Sequence, residues 1–398
     1  MNPHSNGKSI FIVSGEESGD LHGAALMKRL KQMIPGLYFS GMGGTRMKNE
    51  GLFGLDSREV SVVGVVEVLG KLVKILGSMR TLKDELRTDH FDAVVLIDFP
   101  DFNLRLAKEA KPLGIPVIYY ISPQVWACRK GRLAQIARVV DKMLVVFPFE
   151  VSLYRQVGVD VEYVGHPLAD IVKCALTRDE ARSAMSIGPD ELSVALLPGS
   201  RTGEVKRLLG PMIRAASIIS KRSKKTVRFL LPAAHSIDDK LLQKHLKSAG
   251  ARIDVVRGNM YAALRASEAA IVASGTATLE TALIGTPQVI VYRMSPVSYA
   301  IAKTLVKLEH AGLPNIVAER TVVPELIQAD ATPEKMAGEV LSMFEGKKRE
   351  EILEGYAEIK KNLGRGGATE RVAKAVFNAI TNLHFLDYNT TPDMVRRT

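Results

Sequence analysis

The stretch IVASGTATLETALIG, residues 271–285, contains the arrangement that decides the fold of this chain. It begins as an apolar, β-branched run, passes through the small residues Ser274, Gly275 and Thr276, and continues at once as a helical pattern. Other short apolar runs alternate with amphipathic stretches in the same way: SIFIV, FDAVVLID, PVIYYI and KMLVVF in the first half, and SVALLP, VRFLLP and QVIVYR in the second. Continuous apolar strands separated by helices indicate parallel sheets covered on both faces. The sequence therefore predicts an α/β protein.

The length of 398 residues indicates two domains, because single hydrophobic cores stop growing below this size. Each half has the same order of strand, small-residue loop and helix, which predicts two doubly wound, Rossmann-like domains. A polar stretch at residues 165–190 marks the boundary, so we expect domains at 1–175 and 176–349. In such sheets ligands bind beyond the carboxyl ends of the strands. The polar tail after about residue 383 is expected to fray.

Composition indicates a globular protein with anionic partners. Hydrophobic residues make up 46% of the chain, and Lys plus Arg outnumber Asp plus Glu by 54 to 43. The two cysteines, Cys128 and Cys174, lie far apart outside any metal-ligand spacing, which argues against a disulfide framework or a structural zinc site. The first residues lack a signal-peptide pattern, so we expect a cytoplasmic location.

Two loops of the first half carry carboxylates. In SGEESGD, residues 14–20, Ser18 or Asp20 could simply cap the following helix, but the paired carboxylates Glu16 and Glu17 suit sugar hydroxyls better than phosphate. VVLIDFPDFN places Asp98 at the end of a buried strand, where a carboxylate can act as a general base; Asp101 fits a helix cap better. The cluster GMGGTRM, residues 41–47, lacks GxGxxG spacing and only weakly suggests a dinucleotide site.

Two further stretches could bind phosphates. SPQVWACRKGR, residues 122–132, combines Trp126, which could equally be a core residue, with cations that could hold a phosphorylated sugar. In LLPGSRTGE, Ser200 and Arg201 stand at a strand-to-helix turn suited to a diphosphate, without the Walker GK[ST] pattern of ATP hydrolysis. Glu280 in SGTATLE either accepts ribose hydroxyls or is an ordinary helix carboxylate.

The segment VSVVGVVEVLGKLVKIL, residues 60–76, has an apolar face at helical spacing that includes Val66, Leu69 and Leu72. It is too short and too charged to span a bilayer, which needs about 20 apolar residues. It could lie in a membrane interface or be a core helix, and its many β-branched residues leave a partly extended conformation open.

The motifs together resemble the lipid-A-disaccharide synthase family, inverting glycosyltransferases with the GT-B fold, in which two Rossmann-like domains face a central cleft. They occur in one order between residues 14 and 328: SGEESGD, GMGGTRM, VVGVVEVL, DFPDFN, SPQVWACR, FPFE, VGHPL, LPGSR with Glu204, SGTATLE, VYR, GLPN and PELIQ. The chain departs from the family pattern at Cys128, where an aromatic residue is common, and at Gln288, where an apolar residue is usual.

The resemblance implies transfer of 2,3-diacylglucosamine from UDP-2,3-diacylglucosamine to 2,3-diacylglucosamine 1-phosphate (lipid X), releasing UDP. Asp98 would be the base for the acceptor 6-hydroxyl, Glu16 would orient the acceptor, and Arg201 would offset charge on the departing UDP, with no metal cofactor. The implied UDP-binding residues are Ser200, Arg201, Ser274, Gly275, Thr276, Thr278, Glu280, Arg293, Asn315, Glu325 and Gln328. The implied acceptor and membrane residues are Ser14, Gly15, Trp126, Arg129, Val66, Leu69 and Leu72.

The acylated substrates favour a peripheral contact of residues 60–76 with the inner membrane. By the GT-B pattern, residues from about 350 onward return to the first domain, and the resemblance leaves open their exchange with a second subunit in a homodimer. The rival interpretations are another GT-B enzyme, a UDP-N-acetylglucosamine transferase or 2-epimerase, and a nucleic-acid-binding protein. The last is disfavoured because aromatic residues are only 6% of the chain and its cations are scattered.

Overall fold

The computed structural model describes residues 7–57, 68–123, 131–234, 236–247, 249–294, 310–364 and 366–386, with backbone alone for 68–73 and 382–386. Its residues divide into two units, Met1–Pro167 with Gly367–Thr398, and Leu168–Gly366. The first change of unit occurs eight residues before the predicted end at 175, and the return occurs at 367 and not near 350.

The first unit contains a parallel sheet of seven strands in the order β3-β2-β1-β4-β5-β6-β7. The strands are β1 Ser9–Ser14, β2 Tyr38–Gly43, β3 Phe53–Asp56, β4 Ala93–Ile97, β5 Val117–Tyr120, β6 Lys142–Val145 and β7 Asp160–Tyr163. The helices are α1 Glu17–Met33, α2 Thr45–Asn49, α3 Val68–Thr88, α4 Pro100–Ala110, α5 Arg132–Val139 and α6 Glu150–Arg155, and the C-terminal helix of the chain described below.

The second unit contains a parallel sheet of six strands in the order β10-β9-β8-β11-β12-β13. The strands are β8 Leu192–Leu197, β9 Val227–Ala233, β10 Ile253–Arg257, β11 Ala269–Ala273, β12 Gln288–Tyr292 and β13 Glu325–Ile327. The helices are α7 Leu168–Ile171, α8 Arg178–Ala184, α9 Thr202–Arg222, α10 Asp239–Leu246, α11 Met260–Ala266, α12 Thr276–Ile284, α13 Leu313–Ala318, α14 Pro333–Leu341 and α15 Lys347–Asn362. The last helix, α16 Ala368–Leu386, belongs to the first unit.

The predicted α/β class is confirmed, because every quoted apolar run forms a parallel strand. The central strands β1, β4 and β11 are completely buried, since helices cover both faces of each sheet. Helix α16 packs against α1, where Arg29 pairs with Glu370 through a 2.8 Å hydrogen bond from Nη2 to Oε1. The preceding helix α15 remains with the second unit.

Helix α3 covers part of the predicted apolar segment. Its core-facing residues are Met79, Leu82 and Leu86, whereas Leu76, on the predicted apolar face, has 52% of its surface exposed. Val66 lies outside the described residues, and Leu69 and Leu72 are described only as helical backbone. Within the part of the chain that the structure describes, no helix is long and apolar enough to cross a membrane.

Candidate active site

The first unit brings Glu16 and Asp98 to one edge of its sheet. Strands β1 and β4 are adjacent, and their last residues, Ser14 and Ile97, are paired in register. The strand order reverses between β1 and β4, which is the point where open α/β sheets bind ligands. Glu16 and Asp98, each one or two residues beyond its strand, therefore flank the crevice at this edge, and both side chains are partly buried.

The turn that carries Asp98 has an unusual backbone. Asp98 and Phe99 have φ values of 48° and 51°, in the left-handed region that costs energy for residues other than glycine. The carbonyl oxygen of Asp98 accepts hydrogen bonds from Asn103 Nδ2 at 2.7 Å and from the Tyr119 hydroxyl at 2.6 Å. Its backbone N–H donates to the carbonyl oxygen of Tyr120 at 3.0 Å. These bonds hold the strained turn and with it the direction of the Asp98 side chain.

Asn103 and Tyr119 were not identified as functional from the sequence. Asn103 is completely buried in the first turns of α4, and its Nδ2 also donates to the carbonyl oxygen of Ile97 at 3.2 Å. Burial, and secondarily the charge of Asp98, raises the pKa of Tyr119 well above its usual value, so its hydroxyl remains a donor. The only signal in the sequence was the Asn that ends the quoted motif DFPDFN.

We expect Tyr119→Phe to lower kcat by about tenfold, because one hydrogen bond of ~1–1.5 kcal/mol no longer fixes the Asp98 turn. The KM for the sugar nucleotide should change little, since binding groups are untouched. The matched control is Tyr356→Phe, which removes a buried hydroxyl that donates to the carbonyl oxygen of Thr286 in the other unit. Equal losses of kcat in both variants, following equal losses of thermal stability, would show that Tyr119 has only a general structural role.

The loop after β1 is close to this turn. A Cβ atom on Gly15 would come within 2.3 Å of the Phe99 ring, so glycine permits the close approach of the two loops. Helix α1 begins at Glu17, and neither Ser18 nor Asp20 caps it. Asp20 instead accepts hydrogen bonds from the backbone N–H groups of Arg46 and Met47, both at 3.0 Å, and so caps α2. The suggested capping of α1 by Asp20 is therefore wrong, because the carboxylate serves a helix distant in sequence.

The second unit repeats this arrangement around β8 and β11. These strands pair at Leu197 and Val272, and the strand order reverses between them. Ser200 and Arg201 precede α9 at the carboxyl end of β8, with Arg201 at the N-cap position. The backbone N–H of Arg201 donates to Glu204 Oε2 at 3.3 Å, and its half-exposed guanidinium lies 3.4 Å from Oε1 of the same carboxylate. The amino end of α9 and a cation thus lie beside the crevice.

The quoted stretch around Ser274 forms the facing loop. Gly275 has φ 151° at the N-cap of α12, a conformation that favours glycine. Ser274 Oγ donates to the carbonyl oxygen of Ala311 at 2.9 Å, and Thr278 Oγ1, fully buried, donates to that of Gly275 at 2.7 Å. These two hydroxyls therefore shape the loop, while Thr276 begins the helix, whose amino end favours an anion.

Glu280, on the second turn of α12, is partly buried and accepts a hydrogen bond from the Tyr261 hydroxyl at 2.8 Å. Tyr261 lies on α11, so its role was not visible from the local motif. The hydrogen bond fixes one carboxylate oxygen of Glu280. The assignment of Glu280 to a ribose remains a prediction.

Residues predicted to line the nucleotide pocket form a network of protein contacts. Asn315 is completely buried; its Nδ2 donates to Val323 O and Glu325 Oε1, and its Oδ1 accepts from two backbone N–H groups. Glu325 also accepts from the N–H groups of Ala311 and Gly312, at 2.8 and 2.9 Å. Both side chains thereby fix the segment at Ala311, whose carbonyl oxygen accepts the hydrogen bond from Ser274. This supporting arrangement could not be predicted from the sequence.

Gln328 and Arg293 also bond to backbone. Gln328 Oε1 accepts from the N–H of Met294 at 2.7 Å, and Arg293 Nη2 donates to the carbonyl oxygen of Ala331 at 2.7 Å. Gln288, the departure from the family pattern, is fully buried and donates from Nε2 to Thr278 O at 2.8 Å and to the Tyr356 hydroxyl at 3.1 Å. The departure therefore has a local structural reason. Trp126 and Arg129 lie outside the described residues.

Two buried histidines make the first unit sensitive to acid. Burial, and then the charge of Arg46, lowers the pKa of His22 to about 4; burial, and then His22, lowers the pKa of His166 to about 3. In the unfolded chain each histidine takes up a proton as the pH falls below its usual pKa of 6.5. In the folded chain both histidines stay neutral until a much lower pH. Stability from these groups is therefore present above about pH 6.5 and is lost as the pH falls.

We expect the free energy of unfolding to fall by about 2 kcal/mol for each histidine between pH 7 and pH 5. Denaturant titrations at the two pH values measure this loss, and His22→Gln and His166→Gln should each remove its share of the slope. An unchanged pH slope in the double variant would show that neither histidine is responsible.

Comparisons with known proteins identify the family. The model described as lipid-A-disaccharide synthetase matches residues 10–377. The lipid-A-disaccharide synthase of Syntrophus aciditrophicus is 48% identical over 92% of this chain and 97% of its own. That of Geobacter metallireducens is 44% identical over 94% of this chain and 97% of its own.

Solved structures confirm the predicted fold. The MurG of Acinetobacter baumannii superposes with a TM-score of 0.58 at 16% identity, covering 94% of this chain and all of its own. The UDP-GlcNAc 2-epimerase of Neisseria meningitidis, solved bound to UDP-GlcNAc, gives a TM-score of 0.63 at 12% identity over 93% of this chain and all of its own. At these identities the likeness shows the GT-B fold alone. With the family match and the relatives above, the chain belongs to the lipid-A-disaccharide synthase family of glycosyltransferases.

Proposed function

We propose that the chain transfers 2,3-diacylglucosamine from UDP-2,3-diacylglucosamine to the 6-hydroxyl of 2,3-diacylglucosamine 1-phosphate, with inversion. The observation that carries the proposal is the pair Glu16 and Asp98 at the strand-order reversal of the first sheet, in a chain of this family. In this proposal Asp98, on a turn held by Asn103 and Tyr119, acts as the base, and Glu16 orients sugar hydroxyls.

In the proposed reaction Asp98 takes the proton of the acceptor hydroxyl as its oxygen attacks the anomeric carbon of the donor. The new carbon–oxygen bond forms on the face of the sugar opposite the diphosphate. The bond from the anomeric carbon to the diphosphate oxygen breaks, and UDP departs with the electron pair of that bond. Arg201 and the N–H groups at the amino ends of α9 and α12 offset the charge of the diphosphate. Glu280 holds the ribose hydroxyls. We propose that these groups act without a metal cofactor, so turnover should persist in EDTA.

A paired-donor assay tests the proposal. Purified protein is given the phosphorylated diacyl acceptor with either UDP-2,3-diacylglucosamine or UDP-N-acetylglucosamine, and UDP release and disaccharide are measured together. The proposal requires disaccharide from the diacylated donor. Turnover of UDP-N-acetylglucosamine alone would instead support the rival GT-B transferase or epimerase.

We further propose that the apolar face of residues 60–76 makes a peripheral contact with the inner membrane, where the acylated substrates reside. The half-exposed Leu76 of α3 supports this proposal. Replacement of Val66, Leu69 and Leu72 by Ser should move the protein from vesicles to the soluble fraction in a sedimentation assay, because apolar burial drives interfacial binding. Unchanged partitioning, with Leu113→Ser at another exposed site as the matched control, would contradict it.

A further inference from the structure

The first unit contains an open groove of about 530 Å³, whose lining includes the last two residues of the stretch SPQVWACRKGR. It runs between the amino-terminal turns of α4 and α5, and its lining residues are Pro100, Asp101, Leu104, Arg105, Gly131, Arg132 and Gln135. The lining residue nearest to Asp98 in the sequence is Pro100, two residues after it. The groove therefore lies beside the turn that carries the proposed base.

The polar groups of this groove suit an anion. Arg105 and Gln135 are exposed, and neither side chain has a hydrogen-bonding or ionic partner among the described residues. The side chain of Arg132 is only 16% exposed and pairs with Asp101, whose side chain is 76% exposed. The lining thus contains two guanidinium groups and an amide, against a single carboxylate. Guanidinium groups suit phosphate because they can donate two parallel hydrogen bonds.

Both helices also direct their amino ends to the groove. Helix α4 begins at Pro100, which has no N–H, followed by Asp101; Gly131 is the N-cap residue of α5, which begins at Arg132. The first N–H groups of a helix have no intrahelical acceptor, and the helix dipole adds partial positive charge there. The two dipoles therefore add to the two arginines in favouring negative charge.

We propose that the groove binds the phosphate monoester of the acceptor sugar, an inference that rests on the proposed function. The acceptor carries its reacting hydroxyl and its phosphate on one sugar ring. With the hydroxyl at Asp98, the phosphate lies in the adjacent groove, where Arg105, Arg132 and Gln135 bind it. Asp101 holds Arg132 in place when the acceptor is absent and competes with the phosphate for it when the acceptor binds.

Steady-state kinetics test the assignment with two acceptors, 2,3-diacylglucosamine 1-phosphate and its phosphate-free counterpart. Arg105→Gln and Arg132→Gln should each raise the KM for the phosphorylated acceptor by about 10- to 100-fold, the usual value of a charged hydrogen bond. Neither should change the KM for the phosphate-free acceptor or for the donor. Asp101→Asn should lower the KM for the phosphorylated acceptor, because a competing negative charge is removed. Arg138→Gln, on α5 outside the groove, is the matched control.

Equal losses with both acceptors, a raised donor KM, or an unchanged KM in Arg105→Gln would overturn the assignment. Absence of turnover in the wild-type protein would instead overturn the proposed function. A binding experiment then tests the groove without turnover: NMR line broadening of the sugar measures how glucosamine 1-phosphate and glucosamine each bind to the protein. The phosphorylated sugar should bind to the wild-type protein, and its binding should be weaker in Arg105→Gln. Equal binding of the two sugars would reject a phosphate site.

Discussion

Asp98→Asn is expected to lower kcat by about 10²–10⁴-fold, the usual contribution of a general base. The amide has nearly the same size and can still hydrogen-bond, but it cannot accept the proton of the acceptor hydroxyl. The turn should survive the change, because Asn103 and Tyr119 bind the carbonyl oxygen of residue 98 and not its side chain. Initial rates at saturating donor and acceptor measure the effect.

Asp84→Asn is the matched control for Asp98→Asn. Asp84 lies on α3 in the same unit, with its side chain 56% exposed beside Arg80. The control should keep wild-type turnover, and both variants should keep the wild-type melting temperature. Turnover of Asp98→Asn within about tenfold of wild type would place the base elsewhere.

Arg201→Ala is expected to lower kcat/KM for the donor by about 10²–10³-fold, as found when one stabilising donor to a developing anion is removed. The guanidinium is 54% exposed at the amino end of α9, and its Nη1 lies 3.4 Å from Glu204 Oε1, a loose contact that a diphosphate can replace. Arg201→Lys should recover part of the loss, because it restores the charge but not the paired hydrogen bonds.

Arg214→Ala, on the same helix but three turns further on, serves as the control and should keep wild-type kinetics. Binding of UDP, measured by calorimetry, separates the contributions to binding and catalysis. If Arg201→Ala bound UDP and turned over within about threefold of wild type, the proposed role in supporting the leaving group would be contradicted.

Much of the sheet architecture could be predicted from the sequence. Buried parallel strands such as β4 and β11 are continuous apolar runs, and the small residues at their ends mark the ligand edge. Strands at the sheet edges, such as β3 and β7, are shorter and partly exposed, so they carry a weaker apolar pattern. For this reason they were not among the quoted runs.

The supporting contacts of the site could not be predicted, because they join residues distant in sequence. Tyr119 reaches Asp98 from the neighbouring strand, and Tyr261 reaches Glu280 from the preceding helix. Asp20 was misassigned for the same reason, since a local motif suggests a local cap. Asn315 and Glu325 carry recognisable motifs, but the sequence did not indicate that they bond to each other.

The most direct measurement is the structure of the product formed from UDP-2,3-diacylglucosamine and 2,3-diacylglucosamine 1-phosphate. Mass spectrometry and NMR of the purified product determine the linkage position and the configuration at the new anomeric centre. The account predicts a disaccharide 1-phosphate linked at the acceptor 6-hydroxyl with inverted configuration, formed together with one UDP. A retained configuration, or release of UDP without any disaccharide, would contradict it.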